Sequence, residues 1–157
     1  MNLQQALQYI EENRLNQELS LKRLNLTGPE MLQIAAALAG CPNLQKLDLT
    51  YSYLGFSGED AVRFAEGLVR CPNLQVLNLL EIGLGGLGED AGPFAEALAR
   101  CSKLQELSLG NTDLGNLGED AVRFAAALAQ SPSLKVLNLY GGLIGDLCED
   151  AVRFAAA

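Results

Sequence analysis

The chain repeats itself every 30 residues, and that echo constrains its fold more than any single residue does. Cys41-Pro42-Asn43-Leu44 returns as Cys71-Pro72-Asn73-Leu74, as Cys101-Ser102-Lys103-Leu104 and as Ser131-Pro132-Ser133-Leu134. The later half of each copy opens on Glu-Asp-Ala, at Glu59, Glu89, Glu119 and Glu149, with Phe-Ala after two further residues. A unit this short cannot bury its own apolar face, so the copies must stack on one another. A residue that recurs in every copy is expected to serve the stack. Chemistry peculiar to this chain is expected where the copies differ.

Each copy changes period halfway along. Leu44, Leu47 and Leu49 recur as Leu74, Leu77, Leu79, as Leu104, Leu107, Leu109 and as Leu134, Leu137, Leu139. The last two of each set are two apart, which is the spacing of a strand with both leucines facing inward. Ala61, Phe64, Ala65 and Leu68 then follow the i, i+3, i+4, i+7 rule of one helix face. The unit therefore reads as strand, loop, helix, with like strands side by side and parallel. Leu21, Leu24 and Leu26 predict the same strand in an earlier unit. Its strand-to-helix span, Leu26 to Ile34, is seven residues shorter than Leu49 to Phe64. Thr27-Gly28-Pro29-Glu30 reads as a capping box with proline in the first helical turn. Leu3, Ala6, Leu7 and Ile10 predict an amphipathic helix that closes one end of the stack. The chain is expected to be one domain, residues 1–157, made of a capping helix (1–13), a short repeat (20–40) and repeats at 41–70, 71–100, 101–130 and 131–157, the last incomplete. No polar cap follows Phe154-Ala155-Ala156-Ala157.

Several function classes are argued against directly. The formal charge is −8 with only 11 Lys and Arg, whereas a phosphate backbone or an anionic membrane needs clustered cations. No apolar run approaches the ~20 residues of a membrane span, and no signal-peptide pattern opens the chain; both favour a cytoplasmic protein. Histidine is absent, which excludes Ser-His-Asp and Cys-His catalysis and most zinc motifs. No enzymatic activity, cofactor or metal is expected.

Motifs that look like chemistry dissolve into the repeat. Gly83-Leu84-Gly85-Gly86-Leu87-Gly88 matches a dinucleotide fingerprint, but Gly85 and Gly88 recur in the other copies, and Glu89 and Asp90 would repel a pyrophosphate. The Glu-Asp pairs suit the first turn of a helix, where acids favour the dipole. They also form i, i+4 pairs with Arg63, Arg123 and Arg153. In the third copy Gly92-Pro93 replaces Val-Arg, which delays the helix to about Asp90 or later. Cys41, Cys71 and Cys101 share one repeat position and are expected to be buried, reduced hydrophobes; Cys148 is the expected reactive thiol. The glycosylation triplet at Asn25 falls on a predicted strand.

The Leu-x-x-Leu-x-Leu strand, the Leu-Gly pairs at Leu54, Leu84 and Leu114, and the Phe-Ala-Glu-x-Leu helices at Phe64 and Phe94 resemble leucine-rich repeats of the ribonuclease-inhibitor class. The resemblance covers roughly residues 20–157. It implies an α/β leucine-rich-repeat solenoid, a right-handed horseshoe arc with parallel strands on the concave face and helices on the convex face. Where that class carries Asn or Cys, this chain has Ser52, Ile82, Thr112 and Gly142, which implies an incomplete side-chain ladder along the loop.

The copies differ most at the outward strand positions and the loop that follows. Those strand positions hold Lys46, Asp48 and Thr50, then Val76, Asn78 and Leu80, then Glu106, Ser108 and Gly110, then Val136, Asn138 and Tyr140. The loop adds Tyr51 and Tyr53, Glu81 and Ile82, Asn111 and Asp113. Variation on a constant scaffold suits recognition, and Tyr51, Tyr53, Leu80, Ile82 and Tyr140 are anchor types. The expectation is a non-enzymatic scaffold that binds a protein or peptide on the concave sheet and adjoining loops. The alternative is a consensus-like or engineered array with no evolved ligand, which forms homo-oligomers through its uncapped C-terminal end around Val152 and Phe154.

Overall fold

The computed structural model describes residues 1–55, 57–82, 87–112 and 120–139. Helix α1 (Leu3–Glu12) leads into two three-residue strands, β1 (Glu18–Ser20) and β2 (Asn25–Thr27), and helix α2 (Gly28–Leu38). Then come β3 (Lys46–Asp48), β4 (Tyr53–Gly55), α3 (Gly58–Leu68) and β5 (Val76–Asn78). A 3-10 turn (Gly88–Asp90) precedes α4 (Ala91–Ala99), and β6 (Glu106–Ser108), α5 (Asp120–Ala129) and β7 (Val136–Asn138) complete the order. Among the described residues, five strands form one parallel sheet, β1-β3-β5-β6-β7, and β2 and β4 form a second, two-stranded parallel sheet.

The period-2 leucines account for the sheet. Leu47, Leu77 and Leu107 stand in register across β3, β5 and β6, and with Leu49, Leu79 and Leu109 they are buried. Main-chain bonding runs beyond the three-residue strands. Leu49 N–H donates to Asn78 O (2.9 Å) and Tyr51 N–H to Leu80 O (3.0 Å), and Leu79 and Glu81 repeat this against Ser108 and Gly110. The helices lay Ala61, Phe64, Ala65 and Leu68, or Phe94, Ala95 and Leu98, on the other side of the same core. Ala6 and Ile10 of α1 join that core. Asn2 and Gln5 cap α1 reciprocally, Gln5 N–H to Asn2 Oδ1 at 2.9 Å and Asn2 N–H to Gln5 Oε1 at 3.0 Å. Glu30 reaches back to Thr27 N–H at 2.8 Å at the start of α2.

The first unit departs from its expected register. Leu19, not Leu24, stands opposite Leu47, and Leu21 continues that strand, donating to Asp48 O at 2.8 Å. Leu24 and Leu26 belong to the turn and to β2, where Leu26 faces Leu54. The offset is therefore 28 residues at the strands and 30 at the helix starts, Gly28 and Gly58. The loop before α2 is shorter by two residues, not seven. The triplet Leu21-x-x-Leu24-x-Leu26 imitates the strand motif, while the true pair is Leu19-x-Leu21.

The expected horseshoe solenoid is also corrected. The described residues build a small α/β domain with five helices and a parallel sheet. Its described units are not identical: the third unit starts its helix through a 3-10 turn before Ala91, whereas α2 and α3 open directly at Gly28 and Gly58.

Candidate protein-binding face

The outward positions of the five-stranded sheet fall into rows across the register. One row is Glu18, Lys46, Val76, Glu106 and Val136; the next is Ser20, Asp48, Asn78, Ser108 and Asn138. Beyond them the chain turns at Arg23, Tyr51, Glu81 and Asn111, which have φ of 56°, 60°, 54° and 50°. Four non-glycine residues in the left-handed region, one per unit, form a third row at the sheet's C-terminal edge. Such a conformation disfavours L-residues by ~1 kcal/mol or more, yet none of the four is glycine.

Of the expected binding residues, some are exposed and some serve the fold. Lys46, Tyr51, Glu81, Glu106, Asn111 and Asn138 are exposed, and Leu80 and Ser108 are half-buried. Tyr51 is the large apolar surface residue of the turn row, with 51% of its area exposed. Asn111 Nδ2 donates to Glu81 Oε1 at 3.4 Å within that row. Asp48 is turned toward its own strand: its Oδ1 accepts from Thr50 N–H (3.0 Å) and from the Thr50 hydroxyl, and its Oδ2 meets Lys22 Nζ at 3.0 Å. Burial pushes this carboxyl up, but the Thr50 hydroxyl and amide together with Lys22 outweigh burial and hold it below the ordinary value. Asn78 Oδ1 accepts from Leu80 N–H at 3.1 Å in the same way. These are side chain-to-backbone turns that end a strand.

Thr50 is buried (4% exposed), and Ile82, expected as an anchor, is wholly buried. Neither presents a contact surface. Tyr53 lies in β4, opposite Asn25, and so belongs to the smaller sheet. Asp113 and Tyr140 lie outside the described residues, as do Cys148, residues 83–86 of the glycine motif, and Val152 and Phe154 of the expected self-association end.

The loop ladder is built in part. Buried Ser52 accepts from Leu24 N–H at 3.1 Å and donates to Leu21 O at 3.4 Å, so it bridges the first two units. Buried Thr112 donates to Leu109 O, within its own unit. A second ladder runs at the strand entrances, where Asn43 Nδ2 donates to Leu15 O (3.0 Å), Asn73 Nδ2 to Pro42 O (2.8 Å) and Lys103 Nζ to Asn73 Oδ1 (2.7 Å). The recurrence of Asn43 and Asn73 at one repeat position was its signal in the sequence. Cys41, Cys71 and Cys101 are free and buried. Burial pushes the Cys71 thiol up to about 12 and the Cys101 thiol to about 11, so neither is a nucleophile near neutral pH. Arg63 pairs with Glu59 as expected; Arg123 lies 3.9 Å from Asp120, and Glu119, its expected partner, lies outside the described residues.

Sequence reasoning missed the β1 contribution to this face. With Leu19 opposite Leu47, the outward residues of the first unit are Glu18, Ser20 and Lys22, followed by Arg23 in the turn row. Placing the strand at Leu21–Leu26 hid all four.

No family model and no curated protein matches the chain. Solved structures do. The C-terminal domain of tropomodulin from Caenorhabditis elegans matches with a TM-score of 0.66 at 13% identity, over 98% of this chain and 90% of that one. Leiomodin-1 actin-binding site 2 matches with a TM-score of 0.75 at 17% identity, over 97% of this chain and 86% of that one. The fold is therefore of the kind seen in these tropomodulin and leiomodin domains. That finding overturns the resemblance to the ribonuclease-inhibitor class and the leucine-rich-repeat solenoid drawn from it. The repeated leucines report parallel strands over a common core, which is a property of packing and does not single out that class. Among the described residues, no helix is long and apolar enough to cross a membrane.

Proposed function

We propose that the chain is a non-enzymatic protein-binding domain whose partner is actin, engaged through the outward sheet rows and the turn row beside them. The observation that carries this reading is the likeness, over nearly the whole chain, to a domain that serves leiomodin-1 as an actin-binding site. The exposed face supports it. Lys46, Tyr51, Leu80, Glu81, Glu106, Asn111 and Asn138 vary from unit to unit on a scaffold whose inward residues do not. An actin partner implies a cytoplasmic protein, and this reading displaces that of an engineered array without a ligand.

Sedimentation with actin filaments, and native-gel shift with monomeric actin, test the proposal. The wild type is expected to associate with one of the two actin forms. The double variant Tyr51→Ala, Leu80→Ala, checked for folding by circular dichroism, is expected to bind at least tenfold more weakly. Failure of the wild type to bind either form would remove actin as the partner. Undiminished binding by the folded variant would remove the sheet face as the site.

A further inference from the structure

We propose that the β1–β3 end of the exposed face is a seat for an acidic segment of the protein partner, an extended stretch bearing Asp or Glu side chains; this rests on the protein-binding reading above. The chain carries a net charge of −8, with only 11 Lys and Arg over its whole length. Three of those cations, Lys22, Arg23 and Lys46, lie at one end of one face, on two adjacent strands and their turn. Farther along the face, at β5 and β6, the outward and turn positions carry Glu106 and Glu81 instead. The face is therefore polarised along the stack, in the direction opposite to the chain's net sign at the β1 end.

The local charges are not closed off among themselves. Asp48 is held by the Thr50 amide and hydroxyl and by Lys22 at 3.0 Å, so this carboxylate is already satisfied. Lys46 meets Glu18 at 3.6 Å, with side chains 47% and 70% exposed. An exposed pair of this kind is worth ~0–1 kcal/mol and exchanges readily for another carboxylate. The Arg23 guanidinium enters no ion pair among the described residues. Its backbone donates to Thr50 O at 3.1 Å, which sets it next to Tyr51 in the turn row.

An exposed Arg beside an exposed Tyr offers a planar fork for a carboxylate and an aromatic surface for the chain that carries it. The overall negative charge does not defeat this seat. Charges farther than the ~8 Å Debye length at physiological salt are largely screened, so the nearest cations decide. An acidic segment would lie over β1 and β3, and Glu81 and Glu106 would repel its continuation, which fixes where it sits.

The test is an NMR titration of the folded, isotope-labelled chain with a capped glycine–glutamate peptide, and with its glutamine and lysine counterparts. The glutamate peptide is expected to shift the amides of Lys22, Arg23, Lys46 and Tyr51, and the glutamine peptide to bind at least tenfold more weakly. Arg23→Ala is expected to weaken the glutamate peptide at least fivefold, while Arg100→Ala, which removes an exposed cation at the end of α4, leaves it unchanged. Equal binding of the glutamine peptide, preference for the lysine peptide, or shifts confined to other surfaces would overturn the proposal. If these occur while Tyr51→Ala, Leu80→Ala still abolishes actin binding, the acidic seat falls and the protein-binding face stands. If the glutamate peptide binds as expected and actin does not, the seat stands and the partner is a different acidic protein.

Discussion

At the scale of single residues, Asp48 shows how a variable position can be structural. Its carboxylate ends a strand by accepting from Thr50, and Asn78 does the same for Leu80 with a neutral amide. The turn therefore needs an acceptor and not a charge. The charge adds only the contact with Lys22, whose side chain is half exposed, so Asp48→Asn is expected to cost less than about 1 kcal/mol at pH 7. The pH dependence is the sharper readout. The folded carboxyl is held below its ordinary value, so the stability it contributes is fully present above the unfolded value of about 4 and is lost as pH falls through the lower folded value. Urea midpoints measured from pH 7 down to pH 2 should show wild type losing more stability than Asp48→Asn, with the gap closing below about pH 4. Parallel curves would mean that the carboxylate is not held in this way. None of this was legible in the sequence, because an outward Asp that varies between copies looks the same whether it waits for a partner or accepts from its own strand. Ile82 was illegible for a related reason: a residue just after a strand points in or out according to the turn, and the left-handed Glu81 turns it in.

At the scale of elements, the glycines that open α2 and α3 explain how neighbouring helices lie together. A Cβ on Gly28 would come within 2.2 Å of Asp60 Oδ2 and 2.9 Å of Asp60 Cβ, and one on Gly58 would meet Asp90 at 2.1 and 2.9 Å. Each first-turn Asp thus packs over the opening glycine of the preceding helix, which gives the Gly-Glu-Asp of the repeat a packing role. Gly88 is a different case: nothing lies within 4 Å of its missing Cβ, but its φ is +49°. Gly58→Ala is expected to cost about 1–3 kcal/mol by forcing Asp90 and its backbone aside. Gly88→Ala is expected to cost about 1 kcal/mol through backbone strain alone. Adding Asp90→Gly separates the two mechanisms, since it should rescue Gly58→Ala in denaturant melts and leave the cost of Gly88→Ala in place. The parallel pairing and inward leucines were legible, because period 2 followed by period 3.6 in a 30-residue repeat leaves few other arrangements, but the short strand β4, which falls where a loop was expected, was not. The register of the first unit was not, because two leucine patterns overlap there and only the offset of 28 residues in the ladder chooses between them.

At the scale of the whole molecule, identical repeat positions do not carry equal energy. Leu77 stands between Leu47 and Leu107 in the parallel sheet, with all three no more than 1% exposed, inside a core that runs from Ala6 to Leu128. Leu137 occupies the equivalent place in β7, but among the described strands its only neighbour is β6, and it is only partly buried. The sequence treats the two alike; the sheet does not, because burial depends on having a neighbour on each side. Removing a buried leucine side chain costs about 2–5 kcal/mol, and the cost grows with the cavity the surroundings cannot fill. Leu77→Ala should therefore fall near the upper end of that range and Leu137→Ala at half of it or less. Chemical denaturation of both variants reads this directly, with unchanged slopes against denaturant confirming that the same amount of surface is exposed on unfolding. Equal losses would show that β7 is packed as tightly as β5. A steeply graded pair would place the rigid part of the exposed face over β1, β3 and β5, which is where Lys22, Arg23, Lys46 and Tyr51 are held.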